Sequence, residues 1–170
     1  MADKDKIVIS RILDAPREFV WKCWTEPEEI ARWWGPEGFT APNVKVDLRV
    51  GGKYVFCMHG PKGTQFDKDM YSAGDYIEIF PMRKIVASDY FSDEFGNFME
   101  PREAGMDINM PKKMDVVVTF EDAEEGKTLL TIEYPEPETK EQFEAMKKSG
   151  LVDGWNSSLD KLASVVKKPD

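Results

Sequence analysis

The sequence predicts an α+β fold in which a curved antiparallel sheet of about six or seven strands wraps around a long C-terminal helix. Three observations predict it. Alternating strand patterns fill the middle of the chain, two short helical patterns follow the first strand, and an apolar stripe runs from Glu138 to Val166.

Each element has its own signal. Lys6 to Leu13 alternates and is rich in Ile and Val, which reads as a strand. Asp14-Ala15-Pro16 then starts a helix, with Asp14 as cap and Pro16 where a missing N–H costs nothing. Arg17 to Thr25 carries Val20 and Trp24 four apart, with Phe19 and Cys23 beside them. Glu26-Pro27 restarts a short helix over Glu28 to Arg32, which ends in Trp33-Trp34-Gly35-Pro36. Each of those indoles brings roughly 150–250 Å² of mostly apolar surface that needs cover, and the Gly-Pro turn redirects the chain at once.

Strands follow over Asn43 to Leu48, Lys53 to His59, Tyr71 to Phe80, Lys84 to Phe91, Met114 to Glu121 and Thr128 to Tyr134. Turns punctuate them at Gly51-Gly52, Gly60 to Gly63, Pro81-Met82 and Asp122 to Gly126. Ser92 to Lys113 breaks this rhythm with Gly96, Pro101, Gly105 and Pro111, and loops of that length tend to be lids or binding elements. Its Phe95, Phe98, Met99, Met106, Ile108 and Met110 want apolar cover, so it is expected to lie over one end of the helix–sheet space. The final stripe is Phe143, Met146, Leu151, Trp155, Leu159, Leu162 and Val166, read as one helix with Gly150 as a point for a kink.

At 170 residues the chain suits a single domain, with its core over about residues 6–167. A net charge of −9 argues against nucleic acid and anionic membrane, both of which ask for a basic surface. No apolar run approaches the roughly 18 residues of a membrane span, and the charged start, Met1 to Lys6, has no apolar signal core. Two distant cysteines, Cys23 and Cys57, make no disulfide scaffold, so a cytoplasmic location is expected.

Candidate chemistry is sparse. His59, the single histidine, shares strand parity with Cys57, but a structural zinc site usually needs four ligands, so no metal is expected. Asp75, Glu78 and Asp89 sit in otherwise apolar strands. Any of them facing inward would have a raised pKa and suit general acid–base work; alternation and the cost of burying charge point them to solvent. No phosphate-binding glycine loop and no nucleophile elbow occurs. The sequence therefore assigns no catalytic residue and no cofactor. Its aromatics and nine methionines allow an adaptable apolar pocket, or simply fill the space under the helix.

Five motifs together carry a resemblance: Ala15-Pro-Arg-Glu-Phe-Val-Trp21, Ile30-Ala-Arg-Trp-Trp-Gly-Pro-Glu-Gly-Phe39, Val50-Gly-Gly-Lys-Tyr54, Gly74-Asp-Tyr-Ile-Glu78 and Gly154-Trp-Asn-Ser-Ser-Leu-Asp-Lys-Leu162. The chain resembles the helix-grip fold of the START-like/birch-pollen-allergen superfamily. Within it, the chain is similar to the family related to the C-terminal domain of the activator of heat-shock protein 90 ATPase. The resemblance covers nearly the whole chain, without the additional N-terminal domain of full-length eukaryotic co-chaperones. It implies a cavity between sheet and last helix that takes lipids, hormones, polyketides or other apolar molecules, and it carries over no catalytic residue.

Three functions follow as expectations. The first is a protein that binds a small apolar ligand in that cavity, with lining candidates Trp24, Trp33, Phe39, Tyr54, Phe56, Met58, Val116, Val118, Ile132, Trp155 and Leu159. The second is a co-chaperone-like interaction module with a chaperone partner. The third is cyclase- or hydrolase-like catalysis, which needs an inward polar group such as Asp75, Glu78, His59 or Tyr76. Oligomeric state is left open.

Overall fold

The computed structural model describes residues 5–167. Their elements run β1 (Ile7–Leu13), α1 (Arg17–Thr25), α2 (Pro27–Ile30), β2 (Thr40–Val46), β3 (Lys53–His59), β4 (Asp69–Phe80), β5 (Lys84–Ser92), β6 (Met114–Asp122), β7 (Thr128–Tyr134), α3 (Lys140–Lys148) and α4 (Leu151–Lys167). The seven strands form one antiparallel sheet in the order β1-β7-β6-β5-β4-β3-β2. Strands β2 to β7 pair in sequence order, which needs only local connections. The helices α1 and α2 carry the chain between the two edges, so β1 pairs with β7 at the far side.

Alternation sends one set of side chains inward. On β7, Thr128, Leu130, Ile132 and Tyr134 are buried, and on β3 Tyr54 and Phe56 turn to the same apolar core. The helix α4 lies along β1, α1 packs against β6 and α4, and α2 rests against β2. Leu159, Leu162 and Val166 of α4 enter the core with Leu13, Val20, Trp33, Leu130 and Ile132. The expected helix stripe is thus the buried face.

Local chemistry corrects two expectations about helix ends. Pro16 itself takes the N-cap place of α1, no side chain caps it, and its carbonyl accepts from Phe19 and Val20. The single helix expected from Glu138 to Val166 is two helices. Gly150 between them has φ +86°, a backbone conformation in which a β-carbon is strained. The Ser149 hydroxyl donates to the Met146 carbonyl at 2.6 Å and accepts from the Leu151 N–H at 3.2 Å, closing one helix and opening the next. A reciprocal Thr139–Gln142 box starts α3.

The segment 93–113 does not cover one face only. Met110 is buried in the main core and Met106 packs against it, whereas Phe98 meets Tyr90 on the opposite face of β5, rings 5.9 Å apart. Phe95 and Ile108 find no cover and are each 72% exposed. The segment therefore wraps from the outer face of the sheet to its inner space.

Leu159 is fully buried beneath the sheet. Leu159→Ala should cost about 2–5 kcal/mol in urea unfolding; an unchanged midpoint and slope would count against its place in the core.

Candidate functional site

The inner space is lined by aromatic rings in unbroken contact. Trp21 meets Phe120 edge-on at 5.1 Å, Phe120 meets Trp24 at 6.0 Å, and Trp24 stacks on Trp155 at 5.8 Å with planes 7° apart. Trp155 meets Trp34 at 5.5 Å, Trp34 meets Phe56 at 4.7 Å, and the run continues through Tyr54 to Tyr76. Edge-on and offset pairs of this kind add about 0.5–1.5 kcal/mol each beyond their area. Trp24, Trp34 and Trp155 stay half-buried, so part of this wall reaches solvent.

The double tryptophan owes its place to α4. The indole N–H of Trp33 donates to the Cys23 carbonyl at 2.9 Å, which ties the end of α2 to α1. The turn after it is held by Lys161, whose ammonium donates to the carbonyls of Gly35 and Phe39 at 3.0 Å each and of Pro36 at 3.4 Å. Burial lowers the pKa of Lys161. Ser157, one turn earlier on α4, accepts from the Glu37 N–H at 2.7 Å.

Nine of the eleven lining candidates lie in or against one core: Trp24, Trp33, Tyr54, Phe56, Val116, Val118, Ile132, Trp155 and Leu159. Phe39 and Met58 sit outside it, beside Gly35, with Phe39 turned to Phe66. Two surface clefts accompany the fold. One of about 410 Å³ lies at the β6–β7 turn, and one of about 560 Å³ runs between α4 and the Glu37 turn. None of the eleven lines either cleft.

At the centre of the inner face stands a carboxylate that the sequence reading sent to solvent. Asp89 lies on β5, the middle strand of the seven, and shares parity with the buried Ile85 and Ala87. Parity overrides the expectation: the strand cannot turn Asp89 outward without exposing both neighbours. Asp75 and Glu78 do reach the surface, where they pair with Lys53 and Lys84 at 4.0 and 3.8 Å. A register shift between Tyr76 and Glu78 leaves Tyr76 inside and Glu78 outside.

Asp89 belongs to a short polar relay. Trp155 donates its indole N–H to the Tyr134 oxygen at 2.8 Å, and the Tyr134 hydroxyl lies 3.4 Å from the Asp89 carboxylate as its donor. Burial pushes the Asp89 carboxyl up to about 6, against the pull of Tyr134. Burial and then the Asp89 charge hold Tyr134 and Tyr54 well above the usual phenol range, so both remain neutral donors. Tyr54 donates to the Ser88 carbonyl at 2.7 Å. Gly74 permits this, since a β-carbon there would collide with both the Ser88 carbonyl and the Tyr54 ring. Tyr134 and the inward Asp89 were the residues missed by the sequence reading; their strand parity was the available signal.

His59 and Cys57 lie on the outer side of β3. The His59 ring places Nδ1 2.7 Å from Asp69 and Nε2 2.8 Å from Asp67. Ionised carboxylates only accept, so contacts at both ring nitrogens favour the doubly protonated ring. Those bonds raise its pKa. Among the described residues, no group of three His, Cys, Asp or Glu is placed to hold a metal ion.

Two titrations test these assignments. A raised His59 pKa means its stabilisation is complete below its ordinary 6.5 and fades as pH rises through the folded value; NMR should find the single imidazole titrating above 6.5. For Asp89 the sign is reversed. The folded state binds the extra proton between 3.8 and about 6, so stability falls across that window as pH rises. Asp89→Asn should therefore stabilise the protein by roughly 1–3 kcal/mol at pH 7 and by little at pH 4. Equal effects at both pH values would place the carboxylate in solvent.

The profile of the family described as Activator of Hsp90 ATPase homolog 1-like protein matches residues 14–167. No curated protein matches the sequence. Solved structures are similar over almost the whole chain. A Nitrosomonas europaea protein shares 21% identity, with 97% of this chain and 96% of that chain covered and a TM-score of 0.75. A Mycobacterium smegmatis protein shares 21%, covering 98% and 93%, with a TM-score of 0.77. A Chromobacterium violaceum protein shares 26%, covering 97% and 99%, with a TM-score of 0.72.

Proposed function

The chain belongs to the Activator of Hsp90 ATPase homolog 1-like family, and on that premise we propose that it binds a small, largely apolar molecule between the inner face of the sheet and α4. The observation that carries this reading is the aromatic wall itself. Trp24 and Trp34 each meet the Trp155 ring, yet all three keep part of their surface open. A ligand inserted beside them exchanges ring–water contact for ring–ligand contact, and the flanking Met106 and Met110 are side chains that repack easily. Entry follows the segment 93–113, which brings those methionines into the core. Nine of the residues named from the sequence, with Trp34 added, supply the lining, while Phe39 and Met58 stand apart from it. Both cysteines are free and buried, in keeping with work in the cytoplasm.

An interaction with a 90-kDa heat-shock chaperone is the second reading. The family description suggests it, and Phe95 and Ile108 on the wrapping segment offer apolar side chains to a protein surface. No helix among the described residues is long and apolar enough to cross a membrane.

Native mass spectrometry of freshly purified protein, followed by titration with an environment-sensitive apolar dye, tests the first reading. The expected result is a retained small molecule or saturable 1:1 dye binding that shifts tryptophan emission. Unshifted emission together with a bare mass would remove the ligand-binding reading, and chaperone capture by the wild type but not by a Phe95→Ser/Ile108→Ser variant would put the second in its place.

A further inference from the structure

On the inner face stands a carboxylate, Asp89, that no basic side chain among the described residues balances. Arg11, at the edge of that face, is spent on Asp160 at 2.9 Å, and Lys161 is spent on the turn carbonyls. Among the described residues no lysine, arginine or histidine pairs with Asp89, whose bond to Tyr134 is long at 3.4 Å. Asp89 lies on the middle strand of the sheet and keeps part of its side chain accessible, so a ligand in the inner space can reach it. An ionised group left without a counter-charge is a standing cost to the fold, and such costs concentrate where a ligand relieves them.

The surroundings narrow what that ligand carries. The groups facing Asp89 are the phenols Tyr54 from β3 and Tyr134 from β7, Met114 opposite it on β6, and, through Tyr134, the indole of Trp155 from α4. The titratable ones are neutral, so nothing in that set repels a cation. Aromatic faces favour cations as well as apolar carbon. A negative carboxylate within an aromatic wall is the arrangement that suits an ammonium group on an apolar body.

Resting on the ligand-binding reading above, we propose that Asp89 is the polar anchor of the inner space and selects an amphiphilic amine. The ammonium group pairs with the Asp89 carboxylate while Tyr134, held by Trp155, keeps that carboxylate oriented. The apolar tail lies along the indoles of Trp24, Trp34 and Trp155. Fatty acids are disfavoured, because their carboxylate would meet that of Asp89.

Three probes with one twelve-carbon tail separate the head-group preference from the tail. Dodecylamine, dodecanol and dodecanoate, each below its micelle concentration at pH 7.5, are titrated against tryptophan fluorescence and by calorimetry. The wild type should bind dodecylamine at least about tenfold more tightly than dodecanol and dodecanoate, one factor of ten being a modest net gain for a desolvated ion pair. Asp89→Asn should lose that preference while keeping its affinity for dodecanol. Glu78→Gln removes an exposed carboxylate on the surface and controls for general attraction to a protein of net charge −9; it should leave all three affinities unchanged. Equal binding of the three probes by the wild type, or an equal loss of amine binding in Glu78→Gln, overturns the role of Asp89 and leaves the apolar site standing. Failure of all three probes to bind overturns both.

Discussion

Trp155 is the point at which the parts of this protein meet. Its ring stacks on Trp24 from α1 and stands edge-on to Trp34 from the turn after α2. Its N–H reaches Tyr134 at the end of β7. A side chain with a large apolar face and one directional donor is suited to that post, since packing fixes its distance from the sheet and the hydrogen bond fixes its rotation. With Trp155 in place, Leu159 and Leu162 one and two turns on are presented to the core, and Ser157 and Lys161 to the Gly-Pro turn.

That arrangement explains why the double tryptophan and the C-terminal helix read as separate motifs yet act as one. The turn after Trp34 directs the carbonyls of Gly35, Pro36 and Phe39 toward α4, and Lys161 donates to all three, with Pro36 also accepting from the Phe39 N–H. Burying a lysine part-way costs free energy, which its lowered pKa reflects. The three carbonyl contacts of the ammonium offset that cost. The clamp is therefore structural first, and the part of its ring surface left open follows from that packing.

The inner and outer faces of β5 show how one strand serves two surroundings. Inward it carries Ile85, Ala87 and Asp89; outward it carries Tyr90, which lies between Lys53 and Lys113 and under Phe98. Outward, Lys53 meets both the Tyr90 hydroxyl and the Asp75 carboxylate, whereas the inward carboxylate relies on a single phenol. Low polarity magnifies the difference, and burial raises the pKa of Asp89 accordingly.

Much of this was legible in the chain. Period-two alternation placed every strand, β3 and β7 to the residue; β7 alternates in burial as a half-buried strand must, whereas β3 is covered on both faces along its middle. The apolar stripe identified the buried face of α4 for the same kind of reason, and the five motifs pointed to the family to which the chain belongs. The break at Gly150 was visible only as a weak point, since a glycine signals freedom and not the hand of the turn it takes. The inward Asp89 was decided by its neighbours: burying a carboxylate is unfavourable residue by residue, and only the joint demand of Ile85 and Ala87 on the same face outweighs it. The relay from Trp155 through Tyr134 to Asp89 joins positions 21 and 45 residues apart. Only tertiary structure brings them together, because hydrogen bonding at that separation depends on where two strands and a helix meet and leaves no period in the sequence.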